Sequence, residues 1–362
     1  MKFRKTLALA AMLAAVPVVG VAGSAQASNC TSATSNGHCY AENQLEGNGS
    51  HPNAAGVDLD VNCLSVANRS TDFDDWEMWF ATDTPQVSYD TWTEEGMTAG
   101  SLQGGYQGFL WYWADMRPNG TYNEHYIRNA SVGTSTNVSV YYAGNDNDNV
   151  YLGGSLVGTS AGNGSGGLYA NAGFESTTTA ATLQGWADNF QYRVGSSWSW
   201  ASPNVWNTNS GWVGTSASGS NLYASTGCGG GAAPLAAPAA HALPADAAQR
   251  ARVLAQIVQG VATRAHGSHL GSARTTRSTR QQAIKALLGG DRVQGDQAVE
   301  VIQLNGDFSP VRSMKQRKAG ALPTSNTLTI LVDPATGRIT DWGISNIGSA
   351  ALAQLGPVSQ LS

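Results

Sequence analysis

Short runs in which apolar and polar residues alternate dominate the middle of the chain. "NVSVYY" sets Val138, Val140 and Tyr142 on one side of a strand and Asn137, Ser139 and Tyr141 on the other. After the turn-forming "AGNDNDN" the run "VYLGG" returns, which is a hairpin pattern. "NFQYRV" alternates Phe190, Tyr192 and Val194 with Asn189, Gln191 and Arg193 in the same way. Residues 60 to 228 carry no amphipathic helical pattern of useful length, so many short strands between polar turns predict a β-sandwich.

The period changes near residue 245. "DAAQRARVLAQIVQGVATRA" brings Val253, Leu254, Ile257, Val258 and Val261 onto one helical face behind Asp246 as N-cap. "STRQQAIKALLGG" predicts a second, shorter helix stopped by Gly289, and "VEVIQL", "NTLTILVD" and "RITDWGIS" follow as strands. The expected fold is mostly β, an antiparallel sandwich over residues 28–230 followed by a small α+β domain over residues 245–362. Residues 231–244, "GAAPLAAPAAHALP", have no periodic apolar face and read as a semi-extended Ala/Pro linker.

The N-terminus adds a destination. Lys2, Arg4 and Lys5 precede an apolar run from Leu7 to Val21 and then Ala25-Gln26-Ala27, so residues 1–27 read as an export signal. That run is shorter than the roughly 20 residues that span a bilayer, and no later stretch approaches that length. The expected location is therefore secreted, extracellular or cell-wall associated, with no membrane span. Cys30, Cys39, Cys63 and Cys228 all follow the signal, and four cysteines in an exported chain imply two disulfides with three pairings open. Cys30–Cys39 with Cys63–Cys228 is the favoured pairing, because the second bridge closes a long loop around the first domain. A zinc site is disfavoured by the absence of any C-x-x-C.

Charge separates the two halves further. Residues 28–231 contain four arginines, no lysine and eighteen acids, a net −14, whereas residues 232–362 contain thirteen bases and seven acids, a net +6. Opposite fields of this size make docking of the basic domain on the acidic one a reasonable expectation. No nucleic-acid motif accompanies the basic residues.

Candidate chemistry concentrates in "SLQGGYQGFLWYW", residues 101–113, which holds five aromatic rings and no charge. As a strand it places Gln103, Gln107, Phe109, Trp111 and Trp113 on one face and Leu102, Tyr106, Leu110 and Tyr112 on the other. Both faces are apolar, so something must cover each; the even row is expected in the core and the Gln/Trp row on the outer face. "NAGFESTTT" puts Phe174 inward and Glu175 outward, a lone glutamate with no basic neighbour in sequence. "DFDDWE" offers Asp72, Asp74 and Glu77 with mismatched parity and reads as a solvated acidic strand or turn. No G-x-S-x-G surrounds a serine, and in "NEHYI" His125 reads as a hydrogen-bonded sheet histidine. "DLDVN" and "NDNDN" alternate oxygen ligands but lack the glycine and glutamate of a calcium loop, so no cofactor is expected and plain turns rank ahead of calcium.

"SLQGGY", then "NGTYNEHY", the hairpin and Glu175 together resemble the order found in the glutamic peptidases, or eqolisins, over about residues 70–215. The resemblance implies a concanavalin-like sandwich whose concave sheet presents a Gln/Glu dyad, here Gln103 and Glu175. It also implies that the glutamate activates water and then protonates the leaving amine while the glutamine orients the water and the oxyanion. Glu175 follows Gly173 and Phe174, whereas the family's glutamate follows Ala directly. Gln107, Trp111 and Trp113 would then line the substrate floor. The alternative is a non-catalytic binder of extracellular polysaccharide, or a wall-associated structural protein. Trp198 and Trp200, alternating in "SSWSWASP", would join Trp111 and Trp113 in stacking on sugar rings. The expected partner is an extracellular polypeptide or polysaccharide.

Overall fold

The computed structural model describes Cys30 and residues 38–45, 51–68, 72–103, 106–202, 204–228, 241–310 and 320–361; the side chains of residues 101–108 lie outside that description. Among the described residues fifteen strands precede residue 229: β1 (Cys39–Leu45), β2 (Ala54–Val66), β3 (Phe73–Thr82), β4 (Thr91–Gln103), β5 (Tyr106–Met116), β6 (Tyr122–Asn129), β7 (Thr136–Gly144), β8 (Asn147–Leu152), β9 (Ser155–Ser160), β10 (Gly167–Ser176), β11 (Ala181–Val194), β12 (Ser197–Trp200), β13 (Val205–Asn207), β14 (Gly214–Ser218) and β15 (Asn221–Ser225). After it come α1 (Ala247–Arg264), β16 (Ala273–Thr279), α2 (Arg280–Leu287), β17 (Arg292–Val293), β18 (Ala298–Phe308), β19 (Ser325–Val332), β20 (Ile339–Ser345), α3 (Ala350–Ala353) and β21 (Ser359–Leu361).

The local elements follow the alternation that specified them. β7 and β8 form the expected hairpin, and Asn145 and Asp146 between them both have positive φ (54° and 59°), the two-residue turn whose twist matches that of the strands. Asp146 aside, Val138 and Val140 are buried between the sheets. α1 starts at Asp246, whose side chain accepts from the Gln249 amide, and buries Leu254, Ile257, Val258 and Val261. Both disulfides form as favoured, Cys30–Cys39 and Cys63–Cys228, the second spanning 165 residues from β2 to the chain just beyond β15.

Two antiparallel sheets face each other. One runs β13-β1-β10-β3-β4-β5-β6-β20-β19-β18-β16-β21 and the other β14-β15-β11-β2-β7-β8-β9-β17, with β12 on β11. Trp76, Met78, Phe80, Phe174, Val57, Val138, Val150 and Leu183 pack between them. The strands after residue 241 do not build a sheet of their own. β20 pairs with β6 through Asp341–His125, Trp342–Glu124, Gly343–Asn123 and Ile344–Tyr122, and β17 pairs with β9. The added strands satisfy the backbone of β6 and β9, which would otherwise be open edges.

A buried ionic network fastens this seam. The Arg117 side chain donates to Asp115 at 2.8 Å and pairs with Asp291; the two His125 ring nitrogens lie 2.7 Å from Asp341 and 3.0 Å from Asp291. The Arg280 guanidinium donates twice to Asp341, at 2.7 and 2.8 Å. Three carboxylates thus meet three basic groups, and the charges balance only when His125 is protonated. Burial pulls its pKa down, but the hydrogen bonds to Asp291 and Asp341 outweigh that and raise it to about 9.

The structure corrects two expectations. The odd row of β5 faces inward: Phe109, Trp111 and Trp113 lie between the sheets, while Leu110 and Tyr112 face α1. The Trp113 ring fills the place of the Cβ that Gly158 lacks, 2.5 Å away, and lies against His125 with ring centroids 4.1 Å apart. "DFDDWE" is no solvated turn either: it opens β3, which is central in its sheet and buried along its whole length.

Candidate active site

The outer face of the twelve-stranded sheet carries the chemistry. Successive cross-strand partners on it read Tyr40, Glu175, Asp75, Thr98; then Glu42, Gly173, Glu77, Gly96, Tyr112; then Gln44, Asn171, Trp79, Glu94, Ala114, Glu124, Trp342. Alternation puts Trp76, Met78 and Phe80 of β3 inward, so Asp75, Glu77 and Trp79 must point the other way. Small residues between the acids leave them room. At Gly96 a Cβ would sit 2.3 Å from the Glu77 Cβ and 2.5 Å from the Trp76 carbonyl oxygen, so this position excludes any side chain.

Six carboxyls therefore share one face, Glu42, Asp75, Glu77, Glu94, Glu124 and Glu175, and each is fully buried. Their partners separate structural from reactive acids. Glu124 is saturated: it accepts from the Tyr122 and Tyr126 hydroxyls and the Trp342 indole at 2.7, 2.8 and 3.0 Å, with Arg264 at 3.5 Å. Glu42 accepts from the Gln44 and Asn171 amides, both at 3.1 Å, and Glu94 from the Trp92 indole at 2.9 Å. Glu175 accepts from the Tyr40 hydroxyl at 3.0 Å and lies against His38 Nδ1.

Glu77 is different. Burial first, then the charges of Glu94 and Glu175 and a hydrogen bond shared with Glu175, push its pKa well above the usual carboxylate range. Glu94 is likewise raised by burial and by Glu175 and Glu124. Oxygens of Asp75, Glu77 and Glu175 all lie within 4.8 Å of one another. A carboxyl raised as that of Glu77 is can keep its proton where ordinary carboxylates have lost theirs, which is what a general acid requires. The same oxygen set has the hardness that Mg²⁺ or Ca²⁺ favours. The loops weighed for calcium offer less: Asp58 is engaged by Asn137 and Asn189, and Asp148 is buried against Thr93 and Asn163.

Glu175 faces outward as its alternation requires, opposite Phe174. Gln103 ends β4, but its side chain and that of Gln107 lie outside the described residues. Trp198 and Trp200 are far from the acids in the fold, on β12 at the second sheet, and are 40% and 60% exposed. Trp200 borders an open depression of about 500 Å³ with Asn189, Ser202, Ser218, Ser220 and Asn221. Sequence reading missed Asp75, Glu77, Glu94 and Glu42. The available signal was the shared parity of Asp75, Glu77 and Trp79 against Trp76, Met78 and Phe80, acids interleaved with large apolar residues along a strand that is buried on both faces.

No protein-family model matches the chain, and no curated protein does. Among solved structures, the chain is similar to Scytalido-glutamic peptidase bound to a peptide-based transition state analog, at 13% identity over 54% of this chain and 99% of that one, TM-score 0.35. It is also similar to SCP-B, a member of the Eqolisin family of peptidases in complex with the tripeptide Ala-Ile-His, at 15% identity over 54% and 99%, TM-score 0.31. A third likeness is to a beta-porphyranase of the human gut bacterium Bacteroides plebeius, at 8% identity over 38% and 53%, TM-score 0.19. The resemblance to glutamic peptidases read from the sequence thus recurs in the structure as a weak one, over part of the chain, and at these scores it assigns no activity.

Proposed function

We propose that the protein is a secreted hydrolase that cleaves polypeptides by general acid–base catalysis from the carboxyl-bearing face. The observation that carries this reading is the buried Glu77–Glu175 pair. Glu175, oriented by the Tyr40 hydroxyl, takes a proton from a water that attacks the scissile carbonyl carbon. Glu77, held protonated by burial and its acidic neighbours, gives its proton to the amide nitrogen as the C–N bond breaks. The pair ends with the proton exchanged between its members, and a second transfer resets it. Trp79, Trp92 and Tyr112 give the face an apolar floor for a chain substrate. Gln103, at the end of the strand that carries Glu94, stays assigned to orienting the water. Secretion rests on the N-terminal export pattern, and the two disulfides fit an oxidising compartment.

Because both carboxyls are buried in the intact fold, the test is hydrolysis of an unfolded protein by the chain cut between residues 233 and 238, and by its Glu175→Gln and Glu77→Gln variants cut in the same way. Loss of a general acid or base costs about 10² to 10⁴ in kcat, so both variants should fall by that much. Undiminished turnover in either refutes its role. A second reading rests on the exposed rings of Trp198 and Trp200, of which Trp200 lies beside Asn189 and Asn221 in a setting that suits a polysaccharide. Retention on insoluble polysaccharide that a Trp200→Ala change abolishes would support it, and this binding would not depend on Glu175.

A further inference from the structure

The six carboxyls have no access to solvent, although the sheet that bears them could be reached from outside. What covers them is the chain beyond the linker. α1 crosses β4, and its Leu254, Ile257, Val258, Val261 and Ala262 enter the same apolar cluster as Tyr40, Trp79, Trp92, Tyr112 and Tyr122. From its last turn Arg264 reaches the acids, its guanidinium 4.9 Å from the centre of the Phe73 ring and 3.5 Å from Glu124. Two residues further on, burial lowers the pKa of His266, and the neighbouring His38 and Arg264 add to that.

The covering part is topologically separable. In one sheet β13-β1-β10-β3-β4-β5-β6 is an unbroken run without it, and in the other β14-β15-β11-β2-β7-β8-β9 is. Every later strand is appended at one end, β20 on β6 and β17 on β9. Cys63–Cys228 closes the sandwich just before the junction, and between Cys228 and His241 the sequence is "GGGAAPLAAPAA", small residues and proline with no charge. The two parts carry opposite net charge, −14 over residues 28–231 and +6 over residues 232–362.

We propose that α1 and the strands that follow it form an inhibitory cover over the carboxyl-bearing face, which must leave before a substrate chain can reach the acids. The inference rests on the reading of that face as catalytic, but its test does not. Until release, α1 occupies the floor that a substrate chain would take, and Arg264 occupies its acidic end. After release, Asp115, Arg117 and His125 lose Asp291, Asp341 and Arg280, and the seam opens to water.

The experiment uses the full chain with a specific protease site placed between residues 233 and 238, compared uncut and cut. Accessibility of Glu77, Glu94 and Glu175 is read by carbodiimide-driven amide labelling and peptide mass spectrometry. The cover requires these three to be protected in the uncut chain and to label at least about tenfold faster after cutting at raised salt, and it requires added-back 241–361 to restore protection. Labelling as fast in the uncut chain overturns the proposal. So does a cut chain that stays protected until the urea concentration that unfolds the whole sandwich. If labelling rises on cutting while an unfolded protein is still not hydrolysed, the cover stands and the peptidase reading falls.

Discussion

His125 lies where the two parts of the chain meet, and its removal gives a number to the seam. Its ring is fully buried between Asp291 and Asp341, with Trp113 against its face and Arg117, Arg280, Asp115 and Asn123 completing the network. Its pKa rises from 6.5 to about 9, and each unit is worth about 1.4 kcal/mol, so the protonated ring contributes roughly 3 kcal/mol. Because the folded value is raised, that contribution is fully present below about pH 6.5 and is lost as the pH climbs through about 9. His125→Gln keeps a donor and an acceptor but no charge, leaving three carboxylates against two arginines. Urea unfolding followed by Trp fluorescence from about pH 6 to pH 10 should therefore show wild type above the variant by roughly 3 kcal/mol at the acid end. The gap should shrink with rising pH until the two curves run together. A gap that stays constant with pH would refute the protonated ring, and the absence of any gap would refute the network's part in holding the seam.

Asp148 acts with the same sign in a lower window: burial raises its pKa from 3.8 to about 7, so wild type should lose stability as pH rises between those values, by up to about 4 kcal/mol, while Asp148→Asn should not. Urea midpoints at the two ends of that window check it. Gly96→Ala forces a methyl group to within 2.3 Å of the Glu77 Cβ and should cost about 3 kcal/mol in thermal unfolding, whereas Gly214→Ala, whose nearest contact is 3.6 Å, should be nearly neutral. Reducing Cys63–Cys228 should lower stability by about 2 to 5 kcal/mol, read as a shift in urea midpoint with and without reductant. Chelation by EDTA should leave turnover unchanged if the carboxyls act as acid and base, and a loss restored by Mg²⁺ or Ca²⁺ would reassign Asp75, Glu77 and Glu175 as ligands.

Alternation and turn chemistry carried the fold a long way: the β7–β8 hairpin, the α1 face from Leu254 to Val261 and the outward Glu175 were all legible. The sequence could not show that β20 would join β6, because pairing between strands more than 200 residues apart leaves no local mark. That missing contact explains the other errors. With one face of a sandwich strand normally covered, sequence alone does not say which apolar row of β5 lies inside; Trp111 and Trp113 do, because α1 covers the row of Leu110 and Tyr112. Acids in a run such as "DFDDWE" are ordinarily solvated, so sequence alone does not single out Asp75 and Glu77, whereas in the fold burial raises the Glu77 carboxyl well above its usual range. An acid whose strand neighbours at i±1 are Trp and Met is the trace such burial leaves in a sequence.

The pH–rate profile of the cut chain on an unfolded protein, from about pH 2 to pH 8, tests the central claim most directly when run beside Glu77→Gln. The account predicts a bell for wild type whose basic limb reports loss of the Glu77 proton, and a variant reduced by about 10² to 10⁴ that lacks that limb. A variant with the same bell and the same height would show that Glu77 holds no catalytic proton, and the acid–base pair would have to be abandoned.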